Sequence, residues 1–541
     1  MAVDPESIPL EGEEEDQQEH LLEVENHDAP SHHPSAPPDE LFDITTTVDP
    51  SYIISLIRKL LPTNATSSHK LHNGACDAHT QESNIDDMEE SAAPLPTGSD
   101  LCLSRNVSGR MDIVDDVHNF APGERESEDS CSGVEQPGHD ISVREEVLEE
   151  YGCILWDLAA SKTHAELMVE NLILEVLLAN LMVSQSVRAT EISLGIIGNL
   201  ACHEVLMKHV VSTDRLVELI VDQLFLNDAQ CLCEVCRLLT LGLQSSECTT
   251  WAEALQSESI LCHILWIAEN SLNPRLVEKS IELLLAIIES VQEVVHILLP
   301  TLMKMGLPSL LISLLAFEFR TLTSERVPER FSILDVILRA VEALSTIDGY
   351  SQEISSNKEL FQLVSALVKL PDKVEVASSC VTAAVLIANI LSDVADLASE
   401  IVYDLIFLQG LLDIFTFASD DLEARSAIWN IMARLLFRIQ DSEMSPSTLH
   451  QYVLVLASKC DQIEDDLLDC QLDCPRSNAR TTALRRISSI LNRRTASKDY
   501  AGKNDVNGED HANDEVNIGR LLDCCQKHLE SIPSEVSPES G

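Results

Sequence analysis

The chain has 541 residues, of which 45% are apolar and only 4% aromatic, and it carries a formal net charge of −54. A surface this negative repels phosphate backbones. That argues against nucleic-acid binding by the body of the protein and favours protein partners with basic segments. The apolar side is carried by Leu, Ile, Val and Ala, which suits helices packed on helices; β-proteins draw more on Tyr, Phe and Thr.

Sixteen cysteines show no framework spacing, and many lie inside apolar runs, as do Cys202, Cys262 and Cys380. The start, Met1-Ala2-Val3-Asp4-Pro5-Glu6, has neither a basic region nor an apolar signal core. Reduced thiols in the nucleus or cytoplasm are therefore expected, and the glycosylation-like triplets at Asn64 and Asn106 carry no meaning there. The longest uncharged apolar stretch, residues 376–392, is interrupted by Ser378, Ser379, Thr382 and Asn389. It falls short of the about 18–20 clean apolar residues a span requires, so no membrane segment is expected.

Residues 1–140 hold 31 acidic against 6 basic residues and little periodic apolar character, which reads as a mostly disordered acidic region. One island stands out at about 51–61, where Tyr52, Ile53, Leu56, Ile57, Leu60 and Leu61 recur at helical spacing. Asp49 or Ser51 caps it and Pro62 ends it. About twelve residues make a marginal helix in isolation, so the island is expected to dock, on the chain's own array rather than on a partner.

From Ser142 to Cys474 one helical pattern follows another. Ser142-Val-Arg-Glu145 and Thr163-His-Ala-Glu166 read as capping boxes. Short polar breaks fall at Asn227-Asp228, Asn273-Pro274, Pro371-Asp372 and Ser419-Asp420-Asp421, and no alternating strand is evident. Six strongly apolar segments align from Glu191, Glu234, Lys279, Leu338, Cys380 and Arg425, at spacings of 43, 45, 59, 42 and 45 residues. Four of the five gaps match the about 40–47-residue period of armadillo and HEAT units. The long gap coincides with Phe317–Arg330, a charged insertion expected to be a surface loop. Segments apolar nearly all round are those sandwiched between neighbours. The expected fold is an all-α, armadillo/HEAT-like superhelical solenoid of about six repeats, with a disordered acidic N-terminus and C-terminal tail.

Residues 475–498 reverse the charge, with Arg476, Arg480, Arg485, Arg486, Arg493, Arg494 and Lys498. Ala483, Leu484, Ile487, Ile490 and Leu491 can still form a helical face. Arg485, Arg486, Arg493 and Arg494 are a candidate nuclear-import cluster; a solvated helix face, or one pairing with the acidic array, is the structural alternative. Arg485-Arg486-Ile-Ser488 also fits a basophilic kinase site, where phosphate on Ser488 would add negative charge to the one positive region. Residues 499–541 read as an acidic, mostly disordered tail with a short helix near Ile518–Leu529.

The chain holds no P-loop, no dinucleotide fingerprint, no zinc-protease motif and no nucleophile elbow, so neither an enzyme nor a cofactor is expected. Cys231-x-Cys233-x-x-Cys236 invites a zinc reading. On a helix, however, the three point at about 0°, 200° and 140° and do not converge, so buried reduced thiols are expected and no metal. The His32-His33 pair carries no site either. Asn199, Asn389 and Asn430 interrupt otherwise apolar segments. With Arg237, they are candidate contacts either between repeats or in a concave groove, where an Asn amide can clamp an extended peptide. The Trp–Asn ladder of peptide-binding armadillo proteins is absent, since Gly195, Val385 and Ser426 stand four residues before the three asparagines. This argues against an importin-like receptor.

Cys153-Ile-Leu-Trp156-Asp157, followed by Glu191-Ile-Ser-Leu-Gly195-Ile-Ile-Gly198-Asn199-Leu-Ala-Cys202, resembles the serum-amyloid-A-like family, also called synoviocyte-proliferation-associated. Arg237-Leu-Leu with Trp251-x-x-x-Leu255-Gln256 resembles its next repeat, and the 52–61 island its short apolar segment before an acidic linker. The likeness covers residues 48–62 and 147–290; the acidic N-terminus is longer than in the family, and 475–498 maps onto no family feature. The resemblance implies an armadillo-like fold, nuclear or nucleocytoplasmic residence, no catalysis and an association with cell proliferation. The function expected is a non-catalytic protein–protein interaction scaffold or adaptor. Two other readings stand beside it: a transport receptor or cargo adaptor for basic proteins, which needs acidic residues converging on the concave face, and a regulatory subunit of a kinase, phosphatase or ubiquitin ligase. The sequence carries no signal for oligomeric state.

Overall fold

The computed structural model describes residues 48–61, 139–184, 186–439, 445–473, 478–500 and 509–530. The acidic region 62–138, the His32-His33 pair, Asn64, Asn106, Pro475 and Arg476 lie outside the described residues. The chain divides into two compact units, Met1–Tyr52 and Ile53–Gly541. Of the first, only residues 48–52 are described; there Asp49 accepts the Ser51 amide at 2.8 Å and opens helix α1 (Pro50–Lys59).

In the second unit, α2 (His139–Ala159) is followed by seven triplets of helices. These are α3 (Lys162–Glu170), α4 (Ile173–Val183), α5 (Val187–Ala201); α6 (Glu204–Ser212), α7 (Leu216–Asp222), α8 (Ala229–Gln244); α9 (Cys248–Leu255), α10 (Glu258–Asn270), α11 (Pro274–Ile288); and α12 (Gln292–Lys304), α13 (Leu307–Ser324), α14 (Phe331–Thr346). They continue as α15 (Ser351–Ser355), α16 (Lys358–Val368), α17 (Ala377–Asp393); α18 (Ala398–Ile401), α19 (Leu405–Asp413), α20 (Leu422–Arg438); α21 (Pro446–Ser458), α22 (Cys460–Asp473), α23 (Asn478–Tyr500); and a final helix α24 (Glu509–Glu530). The described residues contain no strand.

The third helix of each triplet packs on the third helix of the next, so α2, α5, α8, α11, α14, α17, α20 and α23 form one continuous ladder. A second row, α10, α13, α16 and α19, runs beside it. The six apolar segments aligned by period are the ladder helices α5 to α20. In α17, Ala383, Ala384, Leu386, Ile387, Ile390 and Leu391 are all fully buried, because α14 and α20 cover both sides. Each such Leu or Ile contributes roughly 1.5–3 kcal/mol of burial. The stretch Val374–Asp393 is long and apolar enough to span a bilayer by composition, and here it is this sandwiched helix. The molecule is an armadillo/HEAT-like helical solenoid, and three helices per repeat is the armadillo form.

Three of the four polar breaks in the sequence are helix caps; the fourth, Pro371-Asp372, instead places Asp372 on Arg326 at 2.8 Å. Asp228 accepts the Gln230 and Cys231 amides at 3.0 and 2.9 Å, Asn273 the Leu276 amide at 3.2 Å, and Asp421 the Ala424 amide at 2.9 Å. Each such cap is worth about 1 kcal/mol. Both expected capping boxes fail. The sequence breaker Pro137-Gly138 lies just ahead of His139, so α2 starts there and Ser142 is already inside it. Helix α3 is entered through Ser161, whose hydroxyl meets that of Thr163 instead of the backbone.

Only the end of Phe317–Arg330, residues 325–330, is a loop. Helix α13 runs to Ser324, and Glu318, nearly buried, takes the Arg330 guanidinium in a two-point ion pair, with Nε at 2.8 Å. Two of the charges that suggested solvent thus pair within the fold, while Arg320, Glu325, Arg326 and Glu329 are exposed. The basic stretch 475–498 likewise yields no separate segment, because α23 is the last ladder helix on α20. The tail expected over 499–541 contains α24, which packs on α21, α22 and α23 through buried Leu521 and Cys525. The short helix expected near Ile518–Leu529 is the second half of this longer one.

Candidate protein-interaction face

On α5, α8, α11, α14 and α20, charged or amide side chains spaced three, four or seven residues apart share one face, and all of them but the buried Glu234 lie outside the core. On α5 and α8 these are Arg188, Glu191, Glu234 and Arg237; on α11, Arg275, Lys279 and Glu282; on α14, Arg339 and Glu342; on α20, Glu423, Asn430 and Arg434. The first half is internally neutralised: Arg188–Glu191 at 2.7 Å, Arg237–Glu234 at 2.8 Å, Arg275–Glu234 at 3.6 Å and Lys279–Glu282 at 2.6 Å.

Asn199 and Arg237 tie repeats together here. The Asn199 amide donates to the Trp156 carbonyl of α2 at 2.8 Å, while its oxygen accepts from Arg237 of α8. The neighbouring glycines make this contact sterically feasible. A β-carbon on Gly195 would lie 2.1 Å from the Trp156 indole, and one on Gly198 would lie 3.0 Å from Arg237 Nη1. Asn389 donates to the Ser345 hydroxyl of α14 at 3.0 Å. Asn430 is half-buried on α20 and, among the described residues, has no such partner.

Farther along, the balance of charge changes. Glu342 is half-buried on α14, and its carboxyl is pushed above the usual range by burial first, then by the charges of Glu423 at the start of α20 and Glu289 at the end of α11. Arg339 opposes this only in part, being itself engaged by Glu289 at 3.6 Å. Among the described residues neither Glu342 nor Glu423 has an ion-pair partner. Sequence reasoning missed these three carboxylates; the available signal was a lone Glu in the apolar run of α14.

The remaining expected sites fall as follows. Cys231, Cys233 and Cys236 are buried, and burial pushes their thiols up to about 12, 11 and 12, which keeps them protonated at neutral pH. Arg485 is exposed, whereas Arg486 donates through Nε to the Leu436 carbonyl at 3.1 Å and also to the Ile439 carbonyl, closing the end of α20. Arg493 and Arg494 are half-buried. Ser488 is buried, so its hydroxyl is closed to a kinase while α24 is in place. The island reaches the array: Asn180 of α4 donates to the Leu60 carbonyl at 3.0 Å, and the Lys59 ammonium sits 3.7 Å from the Tyr151 ring centroid.

A ladder of helical triplets with a charged, partly unpaired face is a helical repeat scaffold. The comparisons with known proteins bring it closer to particular relatives. The chain is 31% identical over 219 residues to Protein saal1 of Danio rerio, covering 39% of this chain and 46% of that protein. It is 28% identical over 141 residues to Protein SAAL1 of Homo sapiens, covering 26% and 30%. The serum-amyloid-A-like resemblance is thus carried by two curated relatives, and the chain spans less than half the length of each. No family model matches. A crystal structure of computationally designed armadillo repeat proteins for modular peptide recognition superposes with a TM-score of 0.36 at 12% identity, over 45% of this chain and 94% of that one.

Proposed function

We propose that the protein is a non-catalytic interaction scaffold of the serum-amyloid-A-like kind, whose ladder face receives a basic segment of a partner protein. The observation that supports this reading is the convergence of Glu289, Glu342 and Glu423 from three helices around a half-buried carboxyl. Like charges held together in partial burial destabilise the fold, and such groups gather where a ligand relieves them. Asn430, one turn from Arg434 on the same face, supplies a free amide for the partner's backbone. The acidic convergence favours the cargo-adaptor reading over the regulatory-subunit reading.

The test is binding of a fluorescent decalysine peptide to the full chain at low and high salt, beside a Glu289→Gln/Glu342→Gln/Glu423→Gln variant. Weakening by about tenfold or more in the variant, with salt-sensitive binding in the parent, supports the reading. Equal affinity in the two proteins overturns it. Nuclear or nucleocytoplasmic residence and a link to proliferation belong to the same proposal. Because α23 is part of the ladder, import is tested by Arg485→Ala with Arg494→Ala, and unchanged nuclear distribution refutes a role for that cluster.

A further inference from the structure

A separate surface lies on the other row of helices. Phe225, at the end of the turn after α7, stacks on His263 of α10 with ring centroids 4.7 Å apart and planes 23° from parallel. His263 stacks in turn on Trp266, 5.5 Å away and 11° from parallel. The imidazole is held in place because Nε2 lies 3.0 Å from the Leu224 carbonyl, and a carbonyl can only accept, so Nε2–H is the donor. The stack nevertheless faces water, with Phe225 51% and Trp266 55% exposed. Leu272, in the turn that follows α10, is 96% exposed.

The electrostatics of this platform select its ligand. Residues 216–228 and 258–273, which supply the rings and their surroundings, contain five carboxylates and no lysine or arginine. Asp222 and Glu269, each three residues from a ring of the stack, are exposed. Elsewhere the chain sets its own cations on rings that reach the surface, with Lys59 3.7 Å from the half-buried Tyr151 ring and Arg330 5.2 Å from the exposed Phe317 ring. Among the described residues no cation covers Trp266 or Phe225. An exposed outer ring face beside a carboxylate attracts a guanidinium more than an ammonium, because the planar group can stack and pair at once.

We infer that the Phe225–His263–Trp266 stack docks an arginine side chain of a partner protein, laid on the outer face of Trp266 with Glu269 as its carboxylate. This surface is independent of the ladder face, and its test is chosen to tell the two apart. Trp251 and Trp429 are fully buried and Trp156 is half-buried over Gly195, so quencher-accessible emission reports mainly Trp266. The full chain is titrated with a leucine-flanked arginine heptapeptide and with its lysine counterpart, reading acrylamide quenching and peptide anisotropy. The expected result is protection of Trp266 by the arginine peptide, affinity about tenfold weaker in Trp266→Leu or Phe225→Ala, and weaker binding of the lysine peptide. Affinity unchanged in Trp266→Leu, lysine binding within about twofold of arginine, or loss of arginine-peptide binding in the Glu289→Gln/Glu342→Gln/Glu423→Gln variant would overturn it.

Discussion

The Arg237 guanidinium lies across Gly198 of the preceding ladder helix and hydrogen-bonds the oxygen of Asn199, whose amide holds the Trp156 carbonyl one repeat further back. Three repeats are joined by one asparagine. Replacing Asn199 with Ala leaves a carbonyl and a guanidinium short of partners and is expected to destabilise the fold by about 1–3 kcal/mol in urea unfolding. Arg237→Ala on top of it should add less than its single effect, with a coupling of about 0.5–3 kcal/mol in a double-mutant cycle. Strict additivity would show that the two side chains act separately.

The two glycines beside this junction predict unequal outcomes. Alanine gains about 1 kcal/mol of helix propensity over glycine. At Gly198 the new methyl would stand 3.0 Å from Arg237 Nη1, a long side chain that needs to give by only a few tenths of an ångström although Asn199 and Glu234 hold it, so Gly198→Ala should cost less than about 1 kcal/mol net. At Gly195 it would stand 2.1 Å from the Trp156 indole, so Gly195→Ala should be destabilising by about 1–3 kcal/mol net. Comparison of the two midpoints by circular dichroism decides this.

Near the C-terminal end of the ladder, Asp466 accepts from Arg425 Nε at 2.6 Å and from Trp429 Nε1 at 2.7 Å, with both charges almost fully buried. Removing one member of such a pair strands the other. Asp466→Asn is expected to cost about 3–5 kcal/mol, measured by chemical denaturation with Trp429 emission as the local probe. A loss below about 1 kcal/mol would mean that water reaches Arg425 readily.

Leu172 and Arg215 occupy the same turn in successive repeats, entering α4 and α7 with φ of 64° and 62°. Left-handed backbone costs an L-residue about 1–2 kcal/mol that glycine does not incur. Since Leu172 is 60% exposed and contributes little to packing, Leu172→Gly should stabilise the protein by about 0.5–1 kcal/mol, seen as a raised Tm, while Leu172→Ala should not.

Glu342 gives the fold a pH dependence of definite sign. Its carboxyl binds a proton more readily in the folded chain than in the unfolded one, so its contribution to stability falls as pH rises through the interval between the two pKa values. Glu342→Gln should therefore raise Tm at neutral pH, and the difference from the parent should close as pH drops into the ordinary carboxylate range. A gap that stays constant with pH would assign the effect to packing.

Within one helix the sequence is a good guide to the buried side, because 3.6-residue periodicity marks it, and a poorer one to the ends, where three polar breaks became caps and two expected capping boxes did not. The six ladder helices from Glu191 to Arg425, the armadillo class and the resemblance carried by Trp156 and Gly195–Cys202 were legible for that reason. Charge misled the reading at Phe317–Arg330 and at 475–498, where ionic groups are satisfied by partners 12 to 50 residues away.

The amino-acid sequence by itself determined that this chain is a helical array: aliphatic faces recurring at a fixed interval can be buried only against their own neighbours. Only the tertiary structure decided which charged and aromatic side chains meet, since the slide and rotation of one helix on the next leave no trace in the periodicity of either. Glu342 facing Glu289 and Glu423, Arg237 reaching Asn199, and Phe225 laid on His263 are consequences of that register.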